Sequence, residues 1–144
     1  MNIFFEILLI EDNLGDTRIA IEAFKESKSP VNINYVSDGI EALNFLKKRD
    51  KYENKPTPDL ILLDLNLPKI SGFEILSQIK SINNLKQIPV IIFTSSHSDE
   101  DIEKCYRLGA NSFIAKPIDL DLFIDTIKVI GNYWFQLVKL PPKK

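Results

Sequence analysis

The stretch Asp59-Leu-Ile-Leu-Leu-Asp-Leu-Asn-Leu-Pro68 decides the fold of this chain. Leu60 to Leu63 is a continuous apolar run, which is typical of a strand that helices cover on both faces. Asp64 ends this run and should therefore lie at the carboxyl edge of the sheet. Open parallel α/β sheets bind their ligands in the crevice outside that edge. Asp64 is thus a candidate site residue, although taken alone it is equally well explained as a cap of the following loop.

The composition is that of an ordinary globular protein. The chain has 144 residues, which fits one domain, and its net charge of −2 gives no electrostatic reason to expect nucleic acid or an anionic membrane as a partner. Its apolar stretches are all shorter than the roughly 18 residues that span a bilayer, and the N-terminal run lacks the basic region of a signal peptide. Cys105 is the only cysteine, which excludes an intrachain disulfide. We expect a single domain over residues 1–144 in the cytoplasm.

Apolar runs of strand character alternate with segments of helical periodicity along the chain. Strands are predicted over residues 4–10, 31–36, 60–63, 90–94 and 112–115. Helices are predicted over about 14–27, from the capping motifs at 38, 71 and 98, and from 119 onward. The polar segment from Asp50 to Pro58 is predicted to be a loop. Five strands alternating with five helices predict an α/β fold with a doubly wound, five-stranded parallel sheet flanked by helices.

Polar residues stand at the carboxyl end of four of the five predicted strands. Glu11 and Asp12 follow the first strand, Asp64 follows the third, Thr94 ends the fourth and Lys116 follows the fifth. Each has an ordinary explanation as a cap, a buried strand residue or a surface charge, but all four strand ends meet at one edge. Clustered carboxylates need neutralising charge, and Lys116 supplies only part of it, so a hard divalent cation is expected, with Mg²⁺ favoured over Ca²⁺. A metal, a lysine and a hydroxyl beside a carboxylate nucleophile are typical of phosphoryl transfer.

The chain resembles the receiver domains of two-component response regulators. Four segments carry the resemblance in the order and spacing of that family: Ile-Glu11-Asp12, Leu-Leu-Asp64-Leu-Asn-Leu-Pro68, Phe-Thr94-Ser and Ala-Lys116-Pro117. The match covers about residues 5 to 130. It implies a flavodoxin-like receiver fold, and it implies that Asp64 is the phosphoacceptor that takes a phosphoryl group from a histidine on a partner kinase.

The resemblance also implies a metal site. Mg²⁺ would be bound by Asp64, by Asp12 directly, by Glu11 through water and by the backbone carbonyl of Asn66. The chain departs from the commonest family pattern by having Glu rather than Asp at position 11, and by a longer loop at residues 50–58. Neither departure removes the chemistry, because Glu11 can still reach a metal-bound water.

Three further residues receive roles from the same resemblance. Lys116 would contact the phosphoryl oxygens, and Thr94 would move to hydrogen-bond to them. Phe113 falls where the family keeps an aromatic switch residue, although composition alone favours a core residue of a short strand. We expect Thr94 and Phe113 to pass the state of the site to the face formed by the fourth helix, fifth strand and fifth helix.

The C-terminal segment indicates how the signal leaves the domain. No further module follows in the sequence, so we expect the domain itself to make the output contact. A helix extension or tail is predicted from about residue 131, and its apolar residues are Tyr133, Trp134, Phe135, Leu137, Val138 and Leu140. The ending from Trp134 to Pro141 is similar to single-domain regulators that partner phytochrome-like and hybrid histidine kinases and tend to dimerise. We expect a homodimer through the fourth helix, fifth strand and fifth helix; the alternative is an extension folded back on its own domain.

Two other functions are compatible with part of this pattern. Phosphatases of the haloacid-dehalogenase kind also use an aspartyl nucleophile, Mg²⁺ and a lysine. They usually carry the nucleophile on the first strand with a second Asp two residues later, where this chain has Asn66. A receiver-like scaffold that is not phosphorylated is the third possibility, and the intact site residues argue against it. We predict a signalling receiver that catalyses only its own phosphorylation and dephosphorylation, not an enzyme.

Overall fold

The computed structural model describes residues 4–142, which form an α/β fold around one five-stranded parallel sheet. The strands are β1 (Phe5–Ile10), β2 (Val31–Val36), β3 (Leu60–Leu63), β4 (Val90–Thr94) and β5 (Ser112–Ala115). They are hydrogen-bonded in the order β2-β1-β3-β4-β5. The chain reverses its direction across the sheet between β1 and β3, so the crevice for a ligand is expected at the carboxyl ends of those two strands.

Five helices connect and flank the strands, as predicted. They are α1 (Leu14–Lys25), α2 (Gly39–Leu46), α3 (Gly72–Ser81), α4 (Asp99–Arg107) and α5 (Leu120–Asn132). Each begins after a side chain that accepts a hydrogen bond from a backbone N–H three residues later; these caps are Asn13, Asp38, Ser71, Ser98 and Asp119. Helix α4 ends before Gly109, whose φ of +101° favours glycine. None of the helices between residues 4 and 142 has the length and apolar character needed to cross a membrane.

The sheet separates two apolar layers. Leu8 and Ile10 of β1 contribute to the layer that also contains the buried residues of α2 and α3, whereas Ile7 and Leu9 contribute to the layer that contains those of α1 and α5. All four residues of β3 are buried, which confirms that its apolar run is covered on both faces. This rigid, two-sided support fixes where the carboxyl end of β3, and therefore Asp64, points.

The loop between α2 and β3 is more ordered than predicted. Residues Asp50–Tyr52 form a single 3-10 turn, in which the Tyr52 N–H donates to the carbonyl of Arg49 at 3.0 Å. The Tyr52 ring packs against Phe45 of α2 with its centroid 5.3 Å away. This aromatic contact ties the longer loop to the helix before it.

The C-terminal segment continues α5 as a π-helical turn over Tyr133–Leu137. Phe135 is buried and stacks on Phe5 of β1, with ring centroids 4.5 Å apart. Trp134 and Leu140 pack against the same apolar layer, while Tyr133 and Leu137 are exposed. The predicted extension therefore folds back on its own domain through part of its apolar surface and leaves another part uncovered.

Candidate functional site

The carboxyl ends of β1, β3, β4 and β5 bring the residues predicted for the site together. Glu11, Asp64 and Thr94 are buried, with exposed fractions of 8%, 5% and 0%. The Lys116 side chain is 9% exposed and reaches the two carboxylates. Polar groups withdrawn from water this far require partners, so the contacts between them define the site.

Both carboxylate oxygens of Asp64 accept hydrogen bonds. Oδ1 accepts from the Thr94 hydroxyl at 2.7 Å and from the Asn66 backbone N–H at 3.0 Å, and Oδ2 accepts from Lys116 Nζ at 2.9 Å. Burial alone would raise the pKa of Asp64, but the hydrogen bonds from Lys116, Asn66 and Thr94 outweigh it and hold the pKa below its usual value. Asp64 is therefore ionised at neutral pH, as a nucleophile requires.

Lys116 contacts three carboxylates at once. Its ammonium pairs with Glu11 and lies 2.9 Å from an oxygen of Asp16 and 2.9 Å from an oxygen of Asp64. Burial works to lower the pKa of Lys116, but these carboxylates raise it above its usual range. The side chain is thus a permanent positive charge at the edge of the sheet.

Asp16 is a site residue that the sequence pattern does not identify. It lies in the first turn of α1, whose cap is Asn13; the Asn13 side chain accepts from the Asp16 N–H at 3.0 Å. The available signal is its position, because Asp16 lies in the first turn of the helix that leaves the site.

Glu11 is the carboxylate whose protonation is most strongly perturbed. Burial raises its pKa to about 7, and the charge of Asp64 adds to this shift. Two contacts oppose the shift: the pairing with Lys116, and the hydrogen bond from the Asn13 N–H to Glu11 Oε2 at 3.1 Å. Glu11 is therefore held between a carboxylate and a lysine that are both charged, where a cation would favour its ionised form.

Three of these carboxylates form a group suited to a metal ion. Glu11, Asp12 and Asp64 each offer an oxygen atom within 4.8 Å of the other two. Asp12 is exposed, so the group opens to solvent on one side. Carboxylate oxygens with access to water are the donor set of hard divalent cations. The residues therefore fit the expected metal, while the carbonyl of exposed Asn66 stays a predicted ligand.

The two predicted switch residues occupy different environments. Thr94 already hydrogen-bonds to Asp64, so its hydroxyl needs no large movement to reach a group on that carboxylate. Phe113 is half-buried and packs against the layer that contains the α3 core. Its N–H donates to the Tyr106 hydroxyl of α4 at 3.2 Å, a contact that the sequence pattern does not predict. The backbone of β5 is thereby tied to α4 beside Phe113.

Comparison with known proteins gives a consistent result. Residues 7–128 match the family model of the response regulator receiver domain. Response regulator Rcp1 of Synechocystis sp. is 40% identical over 135 residues, which cover 94% of this chain and 92% of Rcp1.

Two solved structures resemble the fold closely. The phosphorylated cyanobacterial phytochrome response regulator RcpA superimposes with a TM-score of 0.94 at 40% identity, covering 97% of this chain and 100% of RcpA. The Mn²⁺-bound form of Rcp1 gives a TM-score of 0.92 at 39% identity, covering 96% and 99% of the two chains. One relative is thus described in a phosphorylated form and the other with a divalent metal.

Proposed function

Because the chain belongs to the family of response regulator receiver domains, which act in two-component signalling, we propose that Asp64 accepts a phosphoryl group from a histidine kinase. One observation carries this proposal: Asp64 is a buried, ionised carboxylate in contact with Lys116 and Thr94 beside a group of acidic oxygens. A phytochrome-like or hybrid kinase is the proposed partner, from the likeness to RcpA. A receiver is not a classical enzyme, and the chain's own catalysis is limited to its phosphorylation and dephosphorylation.

The proposed transfer is an in-line displacement. A carboxylate oxygen of Asp64 attacks phosphorus, the bond from phosphorus to the kinase's imidazole nitrogen breaks, and the imidazole leaves with the electron pair and takes up a proton. Lys116 offsets the charge on the transferring oxygens, and the Thr94 hydroxyl donates to one of them. Mg²⁺ held by Glu11, Asp12 and Asp64 would neutralise further charge when bound.

Mass measurement after incubation with acetyl phosphate tests this function. The intact chain should gain the mass of one phosphoryl group in the presence of Mg²⁺ and not in its absence, and Asp64→Asn should gain none. Asp121→Asn, an exposed carboxylate in the first turn of α5, is the matched control and should behave as the wild type. Turnover of phosphomonoesters would favour a phosphatase instead, and the absence of any adduct would favour a binding scaffold.

The output surface is proposed to be the face formed by α4, β5 and α5, used in a homodimer. The exposed apolar side chains on or beside α5 include Ile118, Leu122, Val129, Tyr133 and Leu137. Exposed apolar surface of this kind supports a protein contact. A cytoplasmic location, and the absence of nucleic acid and membrane as partners, stay predictions.

Sedimentation tests the dimer best with point variants. Truncation after Ile130 would remove Phe135 from its stack on Phe5 and uncover the core. Val129→Lys with Leu137→Lys instead charges two exposed positions. The wild type should sediment as a dimer and the double variant as a monomer, with Glu22→Lys on α1 as the control. A monomer in every case would contradict the proposal.

A further inference from the structure

Asp16 is placed by the first turn of α1 rather than by the sheet. Its N–H is capped by Asn13, and its carboxylate reaches across to Lys116, one hundred residues later in the sequence, with Oδ2 2.9 Å from Nζ. The Asp16 side chain is 27% exposed, whereas that of Lys116 is 9% exposed. The contact therefore joins a helix start on one side of the site to an almost buried ammonium in its centre.

The three carboxylates around Lys116 differ in whether metal binding or phosphorylation would also involve them. Among the described residues, the group suited to a metal contains Glu11 and Asp64, together with Asp12, but not Asp16. A divalent cation would compete with Lys116 for Glu11 and Asp64 and would repel the ammonium. Phosphorylation would consume a charged oxygen of Asp64. Asp16 is the carboxylate partner of Lys116 that neither event removes.

We propose that Asp16 is a positioning residue that holds the ammonium of Lys116 beside the phosphoacceptor throughout the phosphorylation cycle. This inference rests on the proposed function of Asp64. A lysine side chain is long and flexible, so an ammonium that loses its anchors moves away from the point where charge develops. Pre-organised charge is what accelerates phosphoryl transfer, and a carboxylate outside the metal group maintains it.

The test measures phosphorylation of the full chain by acetyl phosphate at fixed Mg²⁺. Asp16→Asn removes the charge and keeps the size, and it should slow the first-order rate at saturating donor about tenfold, which corresponds to about 1.4 kcal/mol. The donor concentration for half-saturation should not rise, because the variant repels an anion less. Asp16→Glu should recover part of the rate. Glu22→Gln makes the same charge change on an exposed part of α1 and should leave the rate unchanged.

A spectroscopic measurement separates positioning from a merely structural role. The ammonium of Lys116 should give a protected ¹⁵N–¹H signal, assigned by its loss in Lys116→Arg. That signal should broaden in Asp16→Asn and persist in Glu22→Gln. A folding defect alone would lower the unfolding midpoint without selecting this signal.

Three results would overturn the inference. The first is an Asp16→Asn rate equal to or above that of the wild type, and the second is an unchanged Lys116 signal. The third is a defect that disappears at saturating Mg²⁺, because Asp16 would then act through the metal. The failure of the proposed function is distinguishable, since in that case the wild type itself would form no adduct.

Discussion

Gly72 provides a sharp test of how tightly Asp64, the proposed phosphoacceptor, is built into the fold. It is the first residue of α3, directly after the cap Ser71, and its N–H donates to the carbonyl of Leu65 at 3.0 Å. A Cβ added at this position would lie 2.4 Å from the carbonyl oxygen of Asp64 and 2.6 Å from the Cα of Leu65. Gly72→Ala therefore has two opposing effects on stability: alanine favours the helix, but its Cβ clashes with the backbone of the site.

We expect the cost of the clash to exceed the gain in helix propensity. Alanine in place of glycine favours a helix by at most about 1 kcal/mol, and less in a first turn. Overpacking costs about 1–3 kcal/mol, and here the neighbours are backbone atoms that cannot rotate away. We expect Gly72→Ala to lower the free energy of unfolding by about 2 kcal/mol, or the melting temperature by about 6 °C for a chain of this size. Phosphorylation should also slow, because relief of the clash moves the backbone of Asp64.

Gly131 is the matched control. It lies in α5, and a Cβ there would be 3.6 Å from Phe24 Cδ1 and from Ser27 Oγ, which is ordinary contact. Gly131→Ala should therefore stabilise the protein by about 0.5–1 kcal/mol. Urea unfolding followed by circular dichroism measures both variants, with equal m-values as the condition for comparing them. A Gly72→Ala protein as stable as the wild type would refute the reasoning.

Three other predictions follow from local contacts. Lys80→Met should lower the free energy of unfolding by about 1–3 kcal/mol in urea titrations, because its ammonium donates to two loop carbonyls and one amide oxygen. The hydrogen bond from the Glu41 N–H holds the pKa of Asp38 in the folded protein below its usual value. This hydrogen bond therefore stabilises the fold above the unfolded-state pKa of about 4, and the stabilisation is lost as the pH falls through the folded-state pKa. The unfolding midpoints of the wild type and Asp38→Asn should converge in acid, while Asp38→Ala should cost about 1 kcal/mol at neutral pH. Calorimetry should show a loss of about 3–4 kcal/mol for Phe135→Ala and less than about 0.5 kcal/mol for Glu22→Ala on the exposed part of α1.

The strands and helices were predictable because their signals are local. The apolar runs at Leu60–Leu63 and Val90–Thr94 are too short and too uniformly apolar for an amphipathic helix, and both are completely buried. The capping side chains stand immediately before the helices they begin, so Ser71 and Ser98 mark two starts without any tertiary information. The order of the strands in the sheet has no such local signal, because it depends on which faces of the helices and strands pack together in the folded chain.

The sequence predicts the candidate-site residues that directly follow strands, but not those that join the site only through tertiary contacts. Glu11, Asp64 and Lys116 directly follow parallel strands, so the topology alone places them at one edge. Asp16 lies inside a helix, and its carboxylate becomes a site group only when β5 brings Lys116 beside α1. Tyr106 is similar, because its hydroxyl reaches the backbone of β5 only after the chain turns at the end of α4.

The sequence of the C-terminal segment does not show which of its apolar side chains are buried and which are exposed. Its apolar residues are interrupted only by Gln136 and Lys139, and nothing local distinguishes Phe135, which is buried, from Leu137, which is 74% exposed. The distinction comes from Phe5, which lies at the start of β1 and offers a ring for only one of them. A π-helical turn also changes which side chains share a face, so a regular helical pattern would have assigned them wrongly.

The hydrogen bonds of Asp64 imply how its chemical state can reach the output face. The Thr94 hydroxyl has one proton, which it donates to Asp64 Oδ1, so a bond to a phosphoryl oxygen must replace this bond or share it. The Thr94 carbonyl accepts from the Lys116 N–H at 2.7 Å, which couples the end of β4 to the end of β5. We therefore expect a shift of Thr94 to move the strand that carries Phe113, whose N–H is tied to Tyr106 on α4. The chain of contacts from Asp64 to α4 is continuous, and each contact in it is a hydrogen bond or a backbone connection.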